Sequence, residues 1–248
     1  MKIVIIGGSG FIGSKLVKEL RKLDHIVIAA SSGAANNSNA GKLGEMLKDA
    51  QVVIDVSNAP SSDDKEIIEF FQTSGHNLMA AEMIAGVKHH ITFSLVGIEN
   101  LQDNSLFKAK KMQENLVKDS EIPYTILQAT QFYELVRGIA QSATVGEEIR
   151  VPDAKVQPVA SDDVAAAITD ISMGKPLNIT VQIAGPERFS LNELIKIFLE
   201  ETKDPRKVIV DTNALYFGVE IEDKSLLPEK NALIGKTKFR DWLRKQDK

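Results

Sequence analysis

Cysteine is absent from this chain of 248 residues, and long apolar runs are absent as well. The lack of cysteine excludes disulfides, thiolate metal sites and cysteine nucleophiles, and it favours a reducing, cytoplasmic location. No stretch of the sequence approaches the roughly 20 consecutive apolar residues that a membrane span requires. Because the first predicted strand begins at Lys2, we also expect no signal peptide.

The charge balance argues against another class of partner. With 30 basic and 34 acidic residues the net charge is −4 at pH 7, whereas a nucleic-acid partner requires a strongly basic surface. Histidine is scarce, with four residues in the chain. The adjacent pair His89 and His90 lies in a predicted strand, where neighbouring side chains point to opposite faces and do not easily share one ion. We therefore expect no metal site.

The most informative feature that is present lies at the beginning of the chain. A β-branched run over residues 2–6 is followed by closely spaced glycines and then by a helical pattern. Gly8, Gly10 and Gly13 fit the G-x-G-x-x-G spacing, and Gly7 in place of Gly8 gives a second spacing, G-x-x-G-x-x-G. In this context the pattern predicts binding of a diphosphate, because glycines let backbone amides and a helix N-terminus approach it. The alternative is an ordinary strand-to-helix turn.

Strand and helix patterns alternate over the first two-thirds of the chain, which predicts a parallel sheet with helices on both faces. The later predicted strands cover residues 26–30, 52–56, 90–95, 124–127 and 180–184. The predicted helices cover about 42–49, 63–86 with a break near Ser74-Gly75, 105–119 and 163–173. A capping box at Ser190–Glu193 opens one more helix. Residues 31–39 have the composition of a loop, so a third strand there would be short.

We predict a single α/β domain over residues 1–248, built as a Rossmann-type, doubly wound parallel sheet with a small C-terminal substrate lobe. Residues 1–145 would form the dinucleotide-binding core. Residues from about 146 to 248 would complete the sheet and supply the lobe. Ligands of such sheets bind at the carboxyl ends of the strands, where the strand order reverses.

Small or polar residues follow most of the predicted strands, as a cofactor lying across the sheet edge requires. The candidate cofactor-binding residues at these strand ends are Gly7, Gly8, Ser9, Gly10, Phe11, Ile12, Gly13, Ser31, Ser32, Val56, Ser57, Asn58, Ser94, Gln128, Ala129, Thr130 and Phe132. The alternative explanation is that strand ends are polar because loops meet water.

The end of the second strand bears on the choice between NADP and NAD. NAD sites usually place an acid about 20 residues beyond the glycines, yet residues 25–41 contain no Asp or Glu. Ser31 and Ser32 stand there instead, and neither would repel a 2′-phosphate, which favours NADP. The same segment lacks the Arg or Lys that usually clamps this phosphate, so NAD remains the alternative.

Several further segments resemble a known family: residues 55–61, 89–97, 106–110 with Glu114, 122–132, 162–165 and 184–187. Together with the glycine turn they resemble the atypical short-chain dehydrogenase/reductases, in particular the NmrA-like NAD(P)-binding group. The resemblance covers nearly the whole chain and implies NADP or NAD as cofactor and the strand order 3-2-1-4-5-6-7. Because this group contains quinone-type reductases and redox-sensing regulators, the resemblance does not define a substrate.

The chain departs from the family at the catalytic pair. The family uses Tyr-x-x-x-Lys on one helix, and the resemblance places its lysine at Lys110, so the tyrosine position holds Leu106. A shift by one residue gives Phe107 and Lys111, again without a hydroxyl. Lys110 is thus also a candidate cofactor ligand. The alternative for Lys110 is an exposed pair with the acid four residues later on the helix.

Two other positions complete the candidate catalytic set of Lys110, Ser94 and Tyr133. The resemblance matches Ser94 to the family's serine at the end of a strand, whereas Gln128 stands where the family usually has Arg. Tyr133 or a bound water is the hypothetical replacement for the lost phenol, since Arg137 four residues later could lower the pKa of Tyr133. The preferred alternative is that Tyr133 forms an aromatic wall of the substrate pocket beside its neighbour Phe132.

Two functions from different classes are compatible with these residues. The leading hypothesis is an NAD(P)H-dependent oxidoreductase that reduces a small quinone or carbonyl compound without the usual tyrosine. Quinone reduction needs less acid than ketone reduction, because the developing oxyanion is delocalised. The alternative is a non-catalytic sensor of the NAD(P) redox state that acts through a protein partner. We expect a small-molecule substrate, no nucleic-acid or membrane partner, and a homodimer as a possible assembly.

Overall fold

The structure is a computed structural model, and it describes residues 1–36 and 40–246. Its strands are β1 (Lys2–Ile6), β2 (Ile26–Ala30), β3 (Val52–Asp55), β4 (His89–Leu95), β5 (Tyr124–Ala129), β6 (Thr144–Val145), β7 (Glu148–Val151), β8 (Lys155–Val156), β9 (Thr180–Ala184), β10 (Phe189–Ser190), β11 (Lys207–Val210) and β12 (Leu233–Ile234). Its α-helices are α1 (Phe11–Lys22), α2 (Ala40–Leu47), α3 (Asp64–Ala85), α4 (Ser105–Asp119), α5 (Val136–Ser142), α6 (Ser161–Met173), α7 (Leu191–Thr202) and α8 (Phe239–Gln246).

Seven strands form the central parallel sheet, in the order β12-β9-β5-β4-β3-β1-β2. β1 lies between β2 and β3, and its residues Ile3–Ile6 are at most 1% exposed. Such burial explains the β-branched run, because a parallel sheet is covered on both faces and needs apolar side chains on each. The predicted Rossmann-type α/β fold is confirmed.

The strand order departs at both edges from the order that the family resemblance implies: within the described residues the third strand is missing beside β2, and β12 is added beside β9. Among the described residues β2 is the edge strand, and a 3₁₀ turn over Ser32–Ala35 follows it where a third strand would begin. The small residues of this segment lack the β-branched side chains that favour a strand. Residues 37–39 of the predicted loop lie outside the described residues.

The predicted break near Ser74-Gly75 is wrong, because helix α3 runs without interruption from Asp64 to Ala85. The Ser74 hydroxyl donates to the carbonyl oxygen of Phe70 at 2.7 Å, within the helix. A Cβ on Gly75 would lie 2.8 Å from the side chain of Leu116 in α4. The glycine therefore permits close packing of α3 against α4 rather than a turn.

The predicted capping box at the start of α7 is confirmed. The Ser190 hydroxyl accepts from the Glu193 amide at 3.2 Å, and the Glu193 carboxylate accepts from the Ser190 amide at 2.8 Å. Both bonds satisfy amides that would otherwise lack partners at the helix start.

The chain divides into two compact units. Unit 1 comprises residues 1–94, 105–128 and 164–181, and unit 2 comprises residues 95–104, 129–163 and 182–248. A single boundary near residue 145 does not describe this division, because the chain enters unit 2 earlier and later returns to unit 1. Within the described part of the chain, no helix has both the length and the apolar character needed to cross a membrane.

Candidate functional site

The glycine turn between β1 and α1, in unit 1, leaves no room for side chains. Gly7 has φ +82°, and a Cβ there would lie 2.7 Å from the carbonyl oxygen of Val56. A Cβ on Gly8 would lie 2.8 Å from Ala29, and one on Gly13 only 2.1 Å from the Gly7 carbonyl oxygen. The turn therefore packs backbone against the ends of β2 and β3, as close approach to a phosphate requires.

The start of α1 is open to a ligand. Helix α1 begins at Phe11 after Gly10, with no side-chain cap and no acidic residue in its first turn. Ser9, Gly10 and Phe11 are exposed, whereas Ile12 and Gly13 are buried. The first amides of a helix have no intrahelical partner and carry a partial positive charge. This end of α1 therefore has the chemistry of an anion-binding site.

The predicted residues after β2 and β3 meet each other. The backbone amide of Asn58 donates to the Ser32 hydroxyl oxygen at 3.4 Å. Ser31, just before, is exposed. The contact places the uncharged Ser32 beside the exposed Asn58.

Two buried hydroxyls at strand ends have no hydrogen-bond partner among the described residues. They belong to Ser57, which follows β3 and is 3% exposed, and to Ser94 near the end of β4, which is fully buried. Buried hydroxyl groups in proteins are usually hydrogen-bonded. Within the described residues, both hydroxyls therefore have hydrogen-bonding capacity that the fold does not use.

Lys110 lies in the interior of unit 1, at 3% exposure. Its Nζ donates to the carbonyl oxygens of Phe93 at 3.1 Å and Ser57 at 3.3 Å, and to Oε1 of Gln113 at 2.9 Å. It also lies 4.6 Å from the centre of the Phe71 ring. Burial lowers the pKa of Lys110 to about 8, against the opposing effect of nearby carboxylates. All three ammonium protons have internal acceptors, so the predicted contact of Lys110 with a cofactor stays a prediction.

The alternative of an exposed pair between Lys110 and Glu114 is wrong. Glu114 is fully buried, and its carboxylate accepts from Lys118 at 3.1 Å and from the Gln128 amide at 2.8 Å. A buried carboxylate needs such donors to compensate for its lost hydration. Gln128, near the end of β5, is thereby tied to the helix that carries Lys110.

The family's tyrosine position is apolar in three dimensions as well as in sequence. Leu106 packs against a cluster formed by Ile67, Phe70, Phe71 and Ala109. The single tyrosine of unit 1 is at position 124, the first residue of β5, far along the strand from its carboxyl end. Among the described residues of unit 1, no phenol lies at the carboxyl edge of the sheet.

The remaining predicted residues, Ala129, Thr130, Phe132 and Tyr133, belong to unit 2. Ala129 is 1% exposed, and the Thr130 hydroxyl donates to the Gln157 carbonyl oxygen at 2.7 Å. Phe132 forms an isolated β-bridge with Val159, and the backbone amide of Tyr133 donates to the Val159 carbonyl oxygen at 3.0 Å. The structure thus does not place these four in the same unit as the glycine turn.

Tyr133 is a packing residue, which corrects the hypothesis that it donates the proton. It is 1% exposed, and its hydroxyl donates to the Thr237 carbonyl oxygen at 2.8 Å. Its ring packs 5.0 Å from that of Phe239 and 5.7 Å from that of Trp242. Burial, with nearby carboxylates, raises the pKa of Tyr133. Arg137 does not lower that pKa.

The two adjacent histidines of β4 have separate partners. The His90 ring bonds to the Glu82 carboxylate at 2.9 Å and to Thr92 at 2.6 Å, whereas His89 bonds to Thr125 at 2.9 Å. No group of three or more acidic or histidine side chains that could hold a metal ion occurs within residues 1–36 and 40–246.

A protein-family model described as NAD(P)H-binding matches residues 7–173. The chain belongs to this NAD(P)H-binding family. Membership confirms the predicted cofactor class, NADP or NAD. The site itself fits such a cofactor, because the glycine turn is a cradle that side chains would fill and because the buried Ser57 hydroxyl beside it lacks a partner among the described residues.

Solved structures with this fold include enzymes of nucleotide-sugar chemistry. A UDP-glucose 4-epimerase from Thermotoga maritima, solved with UDP-glucose, has a TM-score of 0.76 and 18% identity, with 100% of both chains covered. A dTDP-4-dehydrorhamnose reductase from Bacillus anthracis, solved with NADP, has a TM-score of 0.74 and 16% identity, covering 98% of this chain and 97% of that chain. At these identities the likeness shows the fold alone.

Another similar protein is named for a role in assembly rather than for an enzymatic reaction. The chain is 24% identical over 220 residues to the Photosystem II assembly factor Ycf39 of Synechocystis sp.. The match covers 79% of this chain and 66% of that protein, so the chain spans just under two thirds of the relative's length.

Neither Asp55 nor Gln113 was predicted from the sequence as an individual site residue. Asp55 accepts from the Gln113 side chain at 2.7 Å, and Gln113 in turn accepts from Lys110. Two features of the sequence could have indicated them. Asp55 is a carboxylate at the end of an apolar strand, and Gln113 follows Lys110 by three residues, which places both on the same helix face.

Proposed function

We propose that this member of the NAD(P)H-binding family reduces a small quinone-like acceptor at the carboxyl edge of its sheet. Two features together carry the proposal: the buried Ser94 hydroxyl has no partner among the described residues, and the tyrosine position holds the apolar Leu106. The Ser94 hydroxyl can donate a hydrogen bond to an acceptor oxygen. Among the described residues of unit 1, no phenol is placed to deliver a proton.

The absence of a phenol selects the kind of acceptor. When bound, NAD(P)H supplies one hydride, and one further proton completes the reduction of a quinone to a hydroquinone. The charge that develops on a quinone oxygen is delocalised, so water can supply that proton without a positioned acid. An isolated ketone concentrates the charge and depends on general acid catalysis, which contributes typically about 10²–10⁴-fold to the rate. Ser94 stabilises the developing charge by hydrogen bonding.

The test is NADPH oxidation by the full chain with a panel of small quinones and a matched panel of isolated ketones. We expect turnover with quinones and none with ketones. Ser94→Ala should lower quinone turnover by about tenfold or more while NADPH affinity changes little. Ser74→Ala is the matched control, since it removes a buried hydroxyl that already bonds within α3. Equal turnover of both panels, or an unaffected Ser94→Ala variant, would contradict the proposal.

A second candidate is a non-catalytic NAD(P)H sensor that acts through a protein partner. Two observations favour it: Leu106 is packed into an apolar cluster, and the chain is similar to a protein named for assembly rather than for a reaction. Calorimetric titration with NADP⁺, NADPH, NAD⁺ and NADH separates the two candidates. Different affinities for oxidised and reduced forms, without turnover of any acceptor, would replace the reductase by the sensor. Failure of all four to bind would contradict both.

A further inference from the structure

Four residues of unit 1 close a ring of hydrogen bonds. The Lys110 ammonium donates to Oε1 of Gln113 at 2.9 Å, and Nε2 of Gln113 donates to Oδ2 of Asp55 at 2.7 Å. The backbone amide of Ser57 donates to Oδ1 of Asp55 at 2.9 Å, and the Ser57 carbonyl oxygen accepts from Lys110 at 3.3 Å. None of the four residues is more than 4% exposed. The ring is therefore shielded from water.

Gln113 occupies the one place in this ring that requires a side-chain amide. It accepts from a cation with its oxygen and donates to a carboxylate with its nitrogen, and a side-chain amide offers both functions at once. It thereby links the charge of Lys110 to that of Asp55 without direct contact between them. Lys110 has one further acceptor, the Phe93 carbonyl oxygen, so none of its three protons remains for a ligand in this arrangement.

The ring holds the backbone against which the glycine turn packs. Val56 lies between Asp55 and Ser57, and its amide donates to the Ile6 carbonyl oxygen at 3.0 Å. Its own carbonyl oxygen would lie 2.7 Å from a Cβ on Gly7. A shift of residues 55–57 would therefore displace the wall of the turn at the point of closest contact.

We propose that Gln113 and Asp55 are positioning residues of the dinucleotide site, holding Lys110 and residues 55–57 as one unit behind the glycine turn. Lys110 then supports NAD(P)H binding through the backbone of Ser57, rather than by contact with the cofactor. This inference rests on NAD(P)H binding at the turn and goes beyond it by naming the residues that keep the turn in shape.

The test is a double-mutant cycle with Lys110→Met, Gln113→Met and the combined variant, each titrated with NADPH well below its unfolding temperature. We expect each single change to weaken NADPH binding by about tenfold or more. The combined variant should be no weaker than the weaker single variant, because both changes open the same ring. Losses that multiply, or a Lys110→Met loss with unchanged Gln113→Met binding, would show direct contact of Lys110 with the cofactor and overturn the proposal.

Two further variants separate positioning from general stability. Thr125 lies at the amino end of β5, and Thr125→Val removes a buried hydroxyl that bonds to the His89 ring and to the backbone amide of Leu177. It should lower the unfolding temperature and leave NADPH affinity unchanged, and an equal loss of affinity would overturn the proposal. If Lys110→Met does not fold, Asp55→Asn tests the ring with a change of one atom, and unaltered NADPH affinity there would also overturn it.

The outcomes also distinguish this inference from the proposed function. Wild-type protein that does not bind NADPH would contradict the reductase and the sensor together. Wild-type protein that binds NADPH, with Gln113→Met equal to it in affinity, would overturn the positioning role alone.

Discussion

Gly13 lies directly against Gly7, so that a Cβ on Gly13 would stand 2.1 Å from the Gly7 carbonyl oxygen. The contact joins the first turn of α1 to the end of β1. Because the nearest atoms belong to the backbone, no rotation of a side chain could relieve the clash. The two glycines therefore define the shape of the cradle in which we expect the dinucleotide to bind.

We expect Gly13→Ala to abolish measurable NADPH binding and to lower the free energy of unfolding by about 1–3 kcal/mol, because the backbone must move apart. Gly44→Ala is the control, since a Cβ added at Gly44 would have nothing within 4 Å. That change should leave binding intact and raise stability by up to about 1 kcal/mol through helix propensity. Calorimetry and urea unfolding measure both effects, and normal binding by Gly13→Ala would contradict the cradle.

Ser31 should govern the choice between NADP and NAD. We expect the wild-type protein to bind NADPH at least as tightly as NADH, because no carboxylate stands at the end of β2. Ser31→Asp should weaken NADPH binding by about tenfold or more, while NADH binding is kept or improved. Ser31→Asn adds similar bulk without charge and should preserve the wild-type ratio. A Ser31→Asp protein with an unchanged ratio would show that the 2′-phosphate lies elsewhere.

Tyr133→Phe should leave turnover and NADPH affinity unchanged. The Tyr133 hydroxyl donates to the Thr237 carbonyl oxygen inside unit 2. Removing this hydrogen bond should lower the free energy of unfolding by about 1 kcal/mol. Urea unfolding and steady-state assays with the same acceptor measure the two quantities. A large fall in turnover with normal stability would restore Tyr133 as proton donor.

The buried pair of His90 and Glu82 should make stability depend on pH. Burial opposes the charge on His90, but the Glu82 carboxylate outweighs it and raises the pKa of His90 above its usual 6.5. The contribution of His90 is therefore fully present just below about pH 6.5 and is lost as the pH rises through its raised pKa. Burial also raises the pKa of Glu82, so the charged pair is lost again at low pH.

Unfolding by urea at a series of pH values from about 7 to 9 should show this decline, because the opposite contribution of His89, whose pKa burial lowers to about 4, is nearly complete above about pH 7. Glu82→Gln should remove the slope along with the carboxylate that raises the pKa of His90. A wild-type stability that stays flat, or that rises over this interval, would mean that His90 is neutral in the folded protein.

Much of the local structure was predictable because its causes are local. The strand over 26–30 and the helix over 105–119 coincide with β2 and α4, and the Ser190 capping box is present. Apolar periodicity and capping are properties of neighbouring residues. The predicted break at Ser74-Gly75 failed for the opposite reason, since that glycine accommodates the side chain of Leu116, a residue of another helix.

The sequence by itself determined the alternation of strands and helices from β1 to β5, the glycine turn and the absence of a phenol at Leu106, because each depends on residue types at short spacing. Only the tertiary structure decided what Lys110 and Tyr133 do. Lys110 meets Ser57 across 53 positions of the chain, and Tyr133 meets Thr237 across 104. A buried polar group takes whichever partner the folded chain brings to it, since burial without a partner is costly.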